Sequence, residues 1–390
     1  MKKWIIGISL CLLALPASAY EPLVAKKVFE LPVYQTVGGQ AIKNVKVGWE
    51  SYGRLNAAKD NAILICHYFS GNSHAAGRYT AEDQRPGYWD AIIGSGRPVD
   101  TDQYFVLSVD SLVNLGTGNP MVTTTGPVSI DPDTGRPYGM RFPIVTIRDF
   151  VNVQKALLDS LGIERLHAVM GASMGALQTY EWAAAYPERV ARALPVIGAG
   201  WAGGNLIAWL NVWAAPIRLD PNWNGGDYYE GEPPLRGLAE ALKIVTLHAQ
   251  HWEWTNGVFG RTWAQTDQDP AAAFGNQYKI EAILDSAGQA RAKASDANHF
   301  LYLVKANQLF LAGHGQSYIE GLQKIKAPTL IIHSDEDLVF FPEEVRETAA
   351  YIRSGGTPVE IVELQGTRGH LDGVLSIGQA GPQIRAFLAK

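Results

Sequence analysis

The pentapeptide Gly171-Ala172-Ser173-Met174-Gly175 constrains the fold of this 390-residue chain more than any other feature. It stands between a continuous apolar run, residues 166–170, and a helical pattern over residues 174–186 that Pro187 stops. Strand, G-x-S-x-G and helix in that order describe a very sharp turn, in which bulky neighbours of the serine would clash with the adjacent strand. Such a turn lifts the serine above the sheet edge, at a helix N-terminus whose amide groups favour developing negative charge. Ala183 and Ala184 let that helix lie close to the sheet. Five residues recur by chance in a glycine-rich chain. The context is what makes Ser173 a candidate nucleophile rather than a helix-capping serine.

The rest of the chain carries the same alternation. Residues 27–37 and 44–52 alternate apolar and polar residues around Gly38-Gly39, which reads as an opening antiparallel hairpin. Short apolar runs follow at residues 62–66, 104–109, 166–170, 193–197, 329–333 and 359–364, the pattern of buried parallel strands. Helical patterns cover residues 146–161, 174–186, 342–352 and 382–389. Strands alternating with helices imply an α/β protein with a mostly parallel, doubly wound sheet. One long gap, residues 198–326, is rich in Trp, Gly, Asn and Gln and has a helical stretch at 235–250. An insertion of this size before the penultimate core strand is expected to form a helical cap over the carboxyl ends of the strands, where open α/β sheets bind ligands. The expected division is therefore a core of residues 20–197 and 327–390 and a cap of residues 198–326.

A serine nucleophile needs a base, and the base needs an orienting acid. In a sheet of this kind they follow the serine as acid and then histidine, each just past a strand end. After the run 329–333 come Asp335, Glu336 and Asp337; after 359–364 comes Gln365-Gly366-Thr367-Arg368-Gly369-His370. His370, the last of nine histidines, is the expected base. Asp337 lies two residues further from its strand than Asp335 and suits a loop that must reach the imidazole; Asp335 is the alternative. The oxyanion requires two backbone donors, expected from Met174 N–H and from Phe69 N–H in the loop His67-Tyr68-Phe69-Ser70-Gly71. His67 with His74 and His248 with His251 lack the third ligand of a metal site, so neither a metal nor any other cofactor is expected.

Residues 1–19 read as an export leader: Lys2 and Lys3, an uncharged apolar run from Trp4 to Leu15, then Ala17-Ser18-Ala19 as the cleavage signal. That run is too short for a stable bilayer span, which takes about 20 residues, so no membrane anchor is expected after processing. Cleavage after Ala19 would leave one cysteine, Cys66, inside an apolar run and reading as a buried, inert thiol. A net charge of −5 argues against nucleic acid and anionic membranes as partners and leaves a small-molecule substrate.

These residues, with longer stretches, resemble the homoserine O-acetyltransferase family of α/β-hydrolase-fold enzymes. The resemblance is carried by Cys66-His67 through Gly71-Asn72-Ser73-His74, by Gly87-Tyr88-Trp89-Asp90 and by the run from Asp131 to Gly139. It continues through Arg141-Phe142-Pro143, Thr146-Ile147-Arg148-Asp149 and the Ser173 turn. In the cap it includes Asp220-Pro221-Asn222-Trp223, Gly225-Gly226-Asp227-Tyr228 and Asp296-Ala297-Asn298. It implies that Ser173, Asp337 and His370 occupy the family's triad positions, and that a homodimer is possible. The family holds the carboxylate of homoserine with a cap arginine shortly before the Asp-Pro segment. That stretch here has Ala214 and Ala215, with Arg218 out of register. The family's aspartate after the catalytic histidine is Leu371 here, with Asp372 one place later.

Losing both charged contacts would leave an amino acid's charges uncompensated in the pocket. The expected activity is acyl transfer through Ser173 to water by an exported carboxylic ester hydrolase. Its cap tryptophans, Trp201, Trp209, Trp213, Trp252, Trp254 and Trp263, would select a small apolar or aromatic ester or serve only to pack the cap. The alternatives are an O-acyltransferase of the homoserine type and a non-catalytic binding protein on the same fold.

Overall fold

The computed structural model describes residues 23–390, so the leader read from residues 1–19 lies outside the described residues. Eight strands build one sheet: β1 (Lys27–Gln35), β2 (Ala41–Tyr52), β3 (Ala62–Cys66), β4 (Phe105–Val109), β5 (Ala168–Ala172), β6 (Ala193–Val196), β7 (Thr329–Ser334) and β8 (Val359–Leu364). Their order is β1-β2-β4-β3-β5-β6-β7-β8. β1 pairs antiparallel with β2 and β2 with β4; every later pairing is parallel. This is the α/β-hydrolase fold.

Burial on both faces explains the unbroken apolar runs. All five residues of β3 are buried, and their alternation sends Leu64 and Cys66 to one cluster and Ile63 and Ile65 to the other. The first cluster is covered by α1 (Ile147–Ser160) and α2 (Met174–Ala185), through Phe150, Leu157, Leu177 and Tyr180. The second is covered by Trp89 and by Ile384 and Phe387 of the last helix, α10 (Gly381–Leu388). α1 starts where the sequence places it, because Thr146 and Asp149 form a reciprocal capping box.

β5 is shifted along the chain from its expected bounds. The apolar run at 166–170 suggests a strand that stops before the pentapeptide, but β5 runs on through Ala172, and Leu166 makes only a single bridge to Val190. Apolarity marks burial, not hydrogen-bond register. The ends of β5 are set by its neighbours, Cys66 opposite Gly171 and Val196 opposite Ala172.

Between β6 and β7 lie α3 (Gly204–Leu219), α4 (Leu235–His248), α5 (Trp252–Val258), α6 (Lys279–Ala292) and α7 (Ala297–Gln308). α3 packs on α4 and α7, and α4 on α6. α8 (Tyr318–Gln323) instead packs on α2 and on α9 (Pro342–Ser354), with Leu322 fully buried in the first core cluster. The final part of the insertion is thus built into the core side.

A buried charge network pins the loop that follows β3. Lys26 reaches between Glu50 at 3.1 Å and Asp110 at 3.2 Å, and also contacts the Ser73 hydroxyl. Asp110 accepts the Ser73 and Thr123 N–H groups, and Glu50 also accepts from Tyr52 and Tyr79 and meets His74. Burial alone would raise the Glu50 carboxyl, but His74, Lys26 and Tyr79 hold it down at about 2, below its ordinary 4.5. Lys26→Met would leave two carboxylates in a site where neither is exposed. The expected loss is about 3–5 kcal/mol in denaturant unfolding at pH 7. Glu50's folded value is depressed, so its contribution is complete above about pH 4.5 and is lost as pH falls toward 2. The deficit of the Lys26 variant should narrow over that window; a deficit that is the same at pH 7 and pH 3 would contradict the ion-pair account.

Candidate active site

Ser173 sits between β5 and α2 with φ 57 and ψ −119, a left-handed conformation that a non-glycine residue holds only under constraint. Its N–H donates to Val196 O at 2.9 Å, which ties the turn to β6. The flanking glycines are steric requirements. A Cβ at Gly171 would lie 2.4 Å from Gly175 O, and one at Gly175 would lie 2.0 Å from Cys66 O on the neighbouring strand. Cys66 itself is fully buried, and burial pushes its thiol pKa far up.

The structure brings Ser173, His370 and Asp337 into one hydrogen-bonded chain. His370 Nε2 is 2.7 Å from Ser173 Oγ, and His370 Nδ1 is 2.8 Å from Asp337 Oδ2. An ionised carboxylate can only accept, so Nδ1 carries the proton and Nε2 turns a lone pair to the serine hydroxyl. The other oxygen of Asp337 accepts the N–H groups of Val339 and Phe340, which fixes the carboxylate in its own turn. Asp335 points elsewhere, pairing with Arg346 of α9 at 2.9 Å. Gly369 precedes the histidine with φ +60, and a Cβ there would lie 2.6 Å from Glu336 O.

The loop after β3 is held by His67. Its Nδ1–H donates to Tyr68 O at 2.8 Å, and Nε2 accepts from Ser111 N at 3.0 Å and from the Asn114 amide at 3.2 Å. Burial lowers its pKa, consistent with a neutral ring whose two nitrogens are both used by the protein. His74 stacks on Tyr79 and meets Glu50. Among the described residues, neither Phe69 N–H nor Met174 N–H donates to a protein acceptor. No local motif marks Asn114 or Asp110, which hold this loop from a segment that is adjacent only after β3 and β4 pair.

Of the six cap tryptophans, few meet the site. Trp213 packs edge-on against Phe69 and His248, at centroid distances of 5.6 Å in both cases, and Trp209 stacks on His248 at 4.2 Å. Trp254 lies under the Arg368 guanidinium, two residues from His370. Trp201 instead stacks on Tyr318 of α8, Trp252 is mostly exposed, and Trp263 bridges Tyr278. Packing separates them because Trp213 lies on the side of α3 that meets Phe69, while Trp201 precedes that helix and Trp252 and Trp263 follow α4. His248 Nε2 donates to Leu338 O at 3.1 Å, and His251 pairs with Glu336 at 2.9 Å.

The charged residues nearest in sequence to the site point away from it. Arg218 is exposed and donates to Asn211 on its own helix. Asp372 is buried but accepts from Arg368 N and from the Ser376 hydroxyl. One cap cation does lie near the loop after β3. Arg291 of α6 donates to Thr246 Oγ1 at 2.7 Å and to Leu242 O, and among the described residues no carboxylate pairs with it. Burial lowers its pKa, while the nearby Tyr68 acts in the opposite sense.

Comparison with known proteins agrees with this arrangement. A family model described as alpha/beta hydrolase fold matches residues 61–364. A homoserine O-acetyltransferase from Symbiobacterium thermophilum is 41% identical over 354 residues, covering 90% of this chain and 90% of that protein. Another, from Methanococcoides burtonii, is 39% identical over 355 residues, 91% of this chain and 71% of that protein. Among solved structures, esterase E22 is 49% identical with a TM-score of 0.90, over 94% of this chain and 100% of that one. Homoserine O-acetyltransferase from Bacillus anthracis is 35% identical with a TM-score of 0.90, over 95% and 99%.

Proposed function

From the premise that this chain belongs to the homoserine O-acetyltransferase family of α/β-hydrolase-fold acyl-transfer enzymes, we propose that it is an exported carboxylic ester hydrolase acting through Ser173. His370 Nε2 takes the hydroxyl proton as Oγ attacks the ester carbonyl, and Asp337 holds the imidazolium that results. Phe69 N–H and Met174 N–H stabilise the oxyanion. His370 then returns the proton to the departing alkoxide, leaving acyl-Ser173. Water repeats the sequence: it loses a proton to His370, and the acid leaves as Oγ is reprotonated.

The observation that carries the hydrolase reading is the lack of charge at the positions where the family's acceptor contacts would lie. Ala214 is buried on α3, Leu371 follows the histidine, Arg218 faces outward and Asp372 is spent on its own loop. No side chain of that group remains to compensate the charges of an amino acid acceptor. The 49% identity to a protein named esterase E22 supports the same reading. Export is part of the proposal, on the leader pattern of residues 1–19.

A second reading, acyl transfer to a hydroxyl acceptor, is favoured by Arg291, a cap cation with no carboxylate partner among the described residues, and by the names of the curated relatives. Product analysis separates the two. With a short-chain aryl ester, free acid is expected as the only acyl product, at a rate indifferent to added L-homoserine. Appearance of O-acyl-homoserine, with Arg291→Leu abolishing it, would overturn the hydrolase reading in favour of the transferase.

A further inference from the structure

α3 carries no charged side chain over residues 204–217, although one of its faces is open to solvent. A helix with such a face normally sets polar residues on it. Here Ile207 and Ala208 stand there instead. With Leu309 at the end of α7, and Met140 and Ile144 from the core side, they line a cavity of about 730 Å³. Ile207, Leu309, Met140 and Ile144 are each at least 41% exposed, so four large apolar side chains surround one hollow. The size is that of a small-molecule site, and contiguous exposed apolar surface of this kind marks a place of interaction. Neither Ser173 nor His370 lines it.

The charged side chains that line the cavity are Arg218 and Lys305; among the described residues no aspartate or glutamate does. In a chain with 38 acidic and 33 basic residues, that sign is local to the groove. The helix register brings the two cations together. Ala202 N donates to Phe310 O at 2.9 Å and Gln308 Nε2 to Ile207 O at 3.1 Å, so α3 and α7 run antiparallel. Lys305 lies about one turn back from Gln308, which places it across from the turn of α3 that holds Asn211. Arg218 starts two turns further along α3 but folds back, and its guanidinium donates to Asn211 Oδ1 at 2.7 Å. Both cations therefore stand midway along the groove, with Ile207 and Leu309 towards one end and Leu301 and Trp223 towards the other. An anion answers the two cations and a hydrocarbon chain answers the walls. A small hydrated anion would leave the walls wet, and an alkyl ammonium would be repelled.

We propose that this groove binds a single-chain amphipathic anion, an alkyl carboxylate whose head meets Arg218 and Lys305 and whose tail lies between α3 and α7. The proposal does not rest on the reaction at Ser173. Burial of the tail makes affinity depend on chain length, with each further pair of methylenes tightening binding about tenfold. The two cations make it depend on charge and on salt.

The test is calorimetric titration with octanoate, decanoate and dodecanoate below their micelle concentrations, on the free protein and on protein treated with a fluorophosphonate. One site per chain is expected in both, tightening along the series as above. Decyltrimethylammonium, with the same tail and the opposite charge, should bind at least about tenfold more weakly than decanoate. Replacing both cations, Arg218→Gln with Lys305→Gln, should weaken decanoate about tenfold and remove most of its salt dependence. Ala208→Trp fills the groove from an exposed position, and it should abolish binding with the thermal midpoint unchanged. Absence of saturable binding would overturn the proposal, as would binding that Ala208→Trp leaves intact, which would place the ligand elsewhere. Sedimentation as a dimer that Ala208→Trp splits would assign the face to a second copy of the chain and overturn it too.

Discussion

Ser173→Ala is expected to lower kcat by on the order of 10⁶ and to abolish covalent labelling by fluorophosphonates, with the thermal midpoint close to that of the wild type. The magnitude follows from the way such a chain works as a unit. Without Oγ there is no acyl-enzyme, and His370 and Asp337 have nothing to activate. The small effect on stability has a separate cause. Ser173 Oγ is partly exposed and bonds only His370 Nε2, so truncation removes almost no packing. The strained backbone at φ 57 is imposed by β5, α2 and the bond to Val196 O, and alanine meets the same constraint as serine. Mass spectrometry of the treated variant decides the matter: persistent labelling would mean that another residue is the nucleophile.

Asp337→Asn is expected to cut kcat by about 10⁴. Asparagine keeps an oxygen for Val339 N and Phe340 N, so the turn survives. The atom facing His370 Nδ1 becomes an amide donor or a neutral oxygen. Either the tautomer reverses or the imidazolium loses its countercharge, and both remove the base strength of Nε2. Asp335→Asn removes a charge that faces Arg346 at 2.9 Å and His333 at 3.5 Å, neither of them in the triad, and should change kcat by about threefold or less. Parallel measurement of the two variants on one ester is the check, and a larger loss at Asp335 would move the acid there.

The two aspartates mark how far sequence reasoning reaches. They lie in one loop after one strand, and their difference in role comes from two backbone bonds and one imidazole that no local pattern encodes. The cap shows the same limit. Six tryptophans look equivalent as candidates for a pocket wall, yet Trp213 and Trp209 roof the site while Trp201 stacks on α8 and Trp252 faces solvent. Arg218 stands out of register with the family's cap arginine and its helix turns it outward, whereas Arg291, some seventy residues further along the chain, lies near the loop.

By itself the sequence determined the strand–turn–helix at Ser173, the parallel order of a buried sheet and the loops that carry His370 and the acidic cluster. Each of these depends on residues close together in the chain: a Gly171 with no room for a Cβ beside Gly175 O, apolar runs long enough for one strand, a capping box at Thr146. The tertiary structure alone decided which aspartate faces the imidazole, which side chains hold the loop after β3, and which cap tryptophans meet that loop. These depend on where segments meet after the sheet closes and α3 and α4 pack across it. Contacts between distant segments are set by packing geometry, which composition and periodicity do not record.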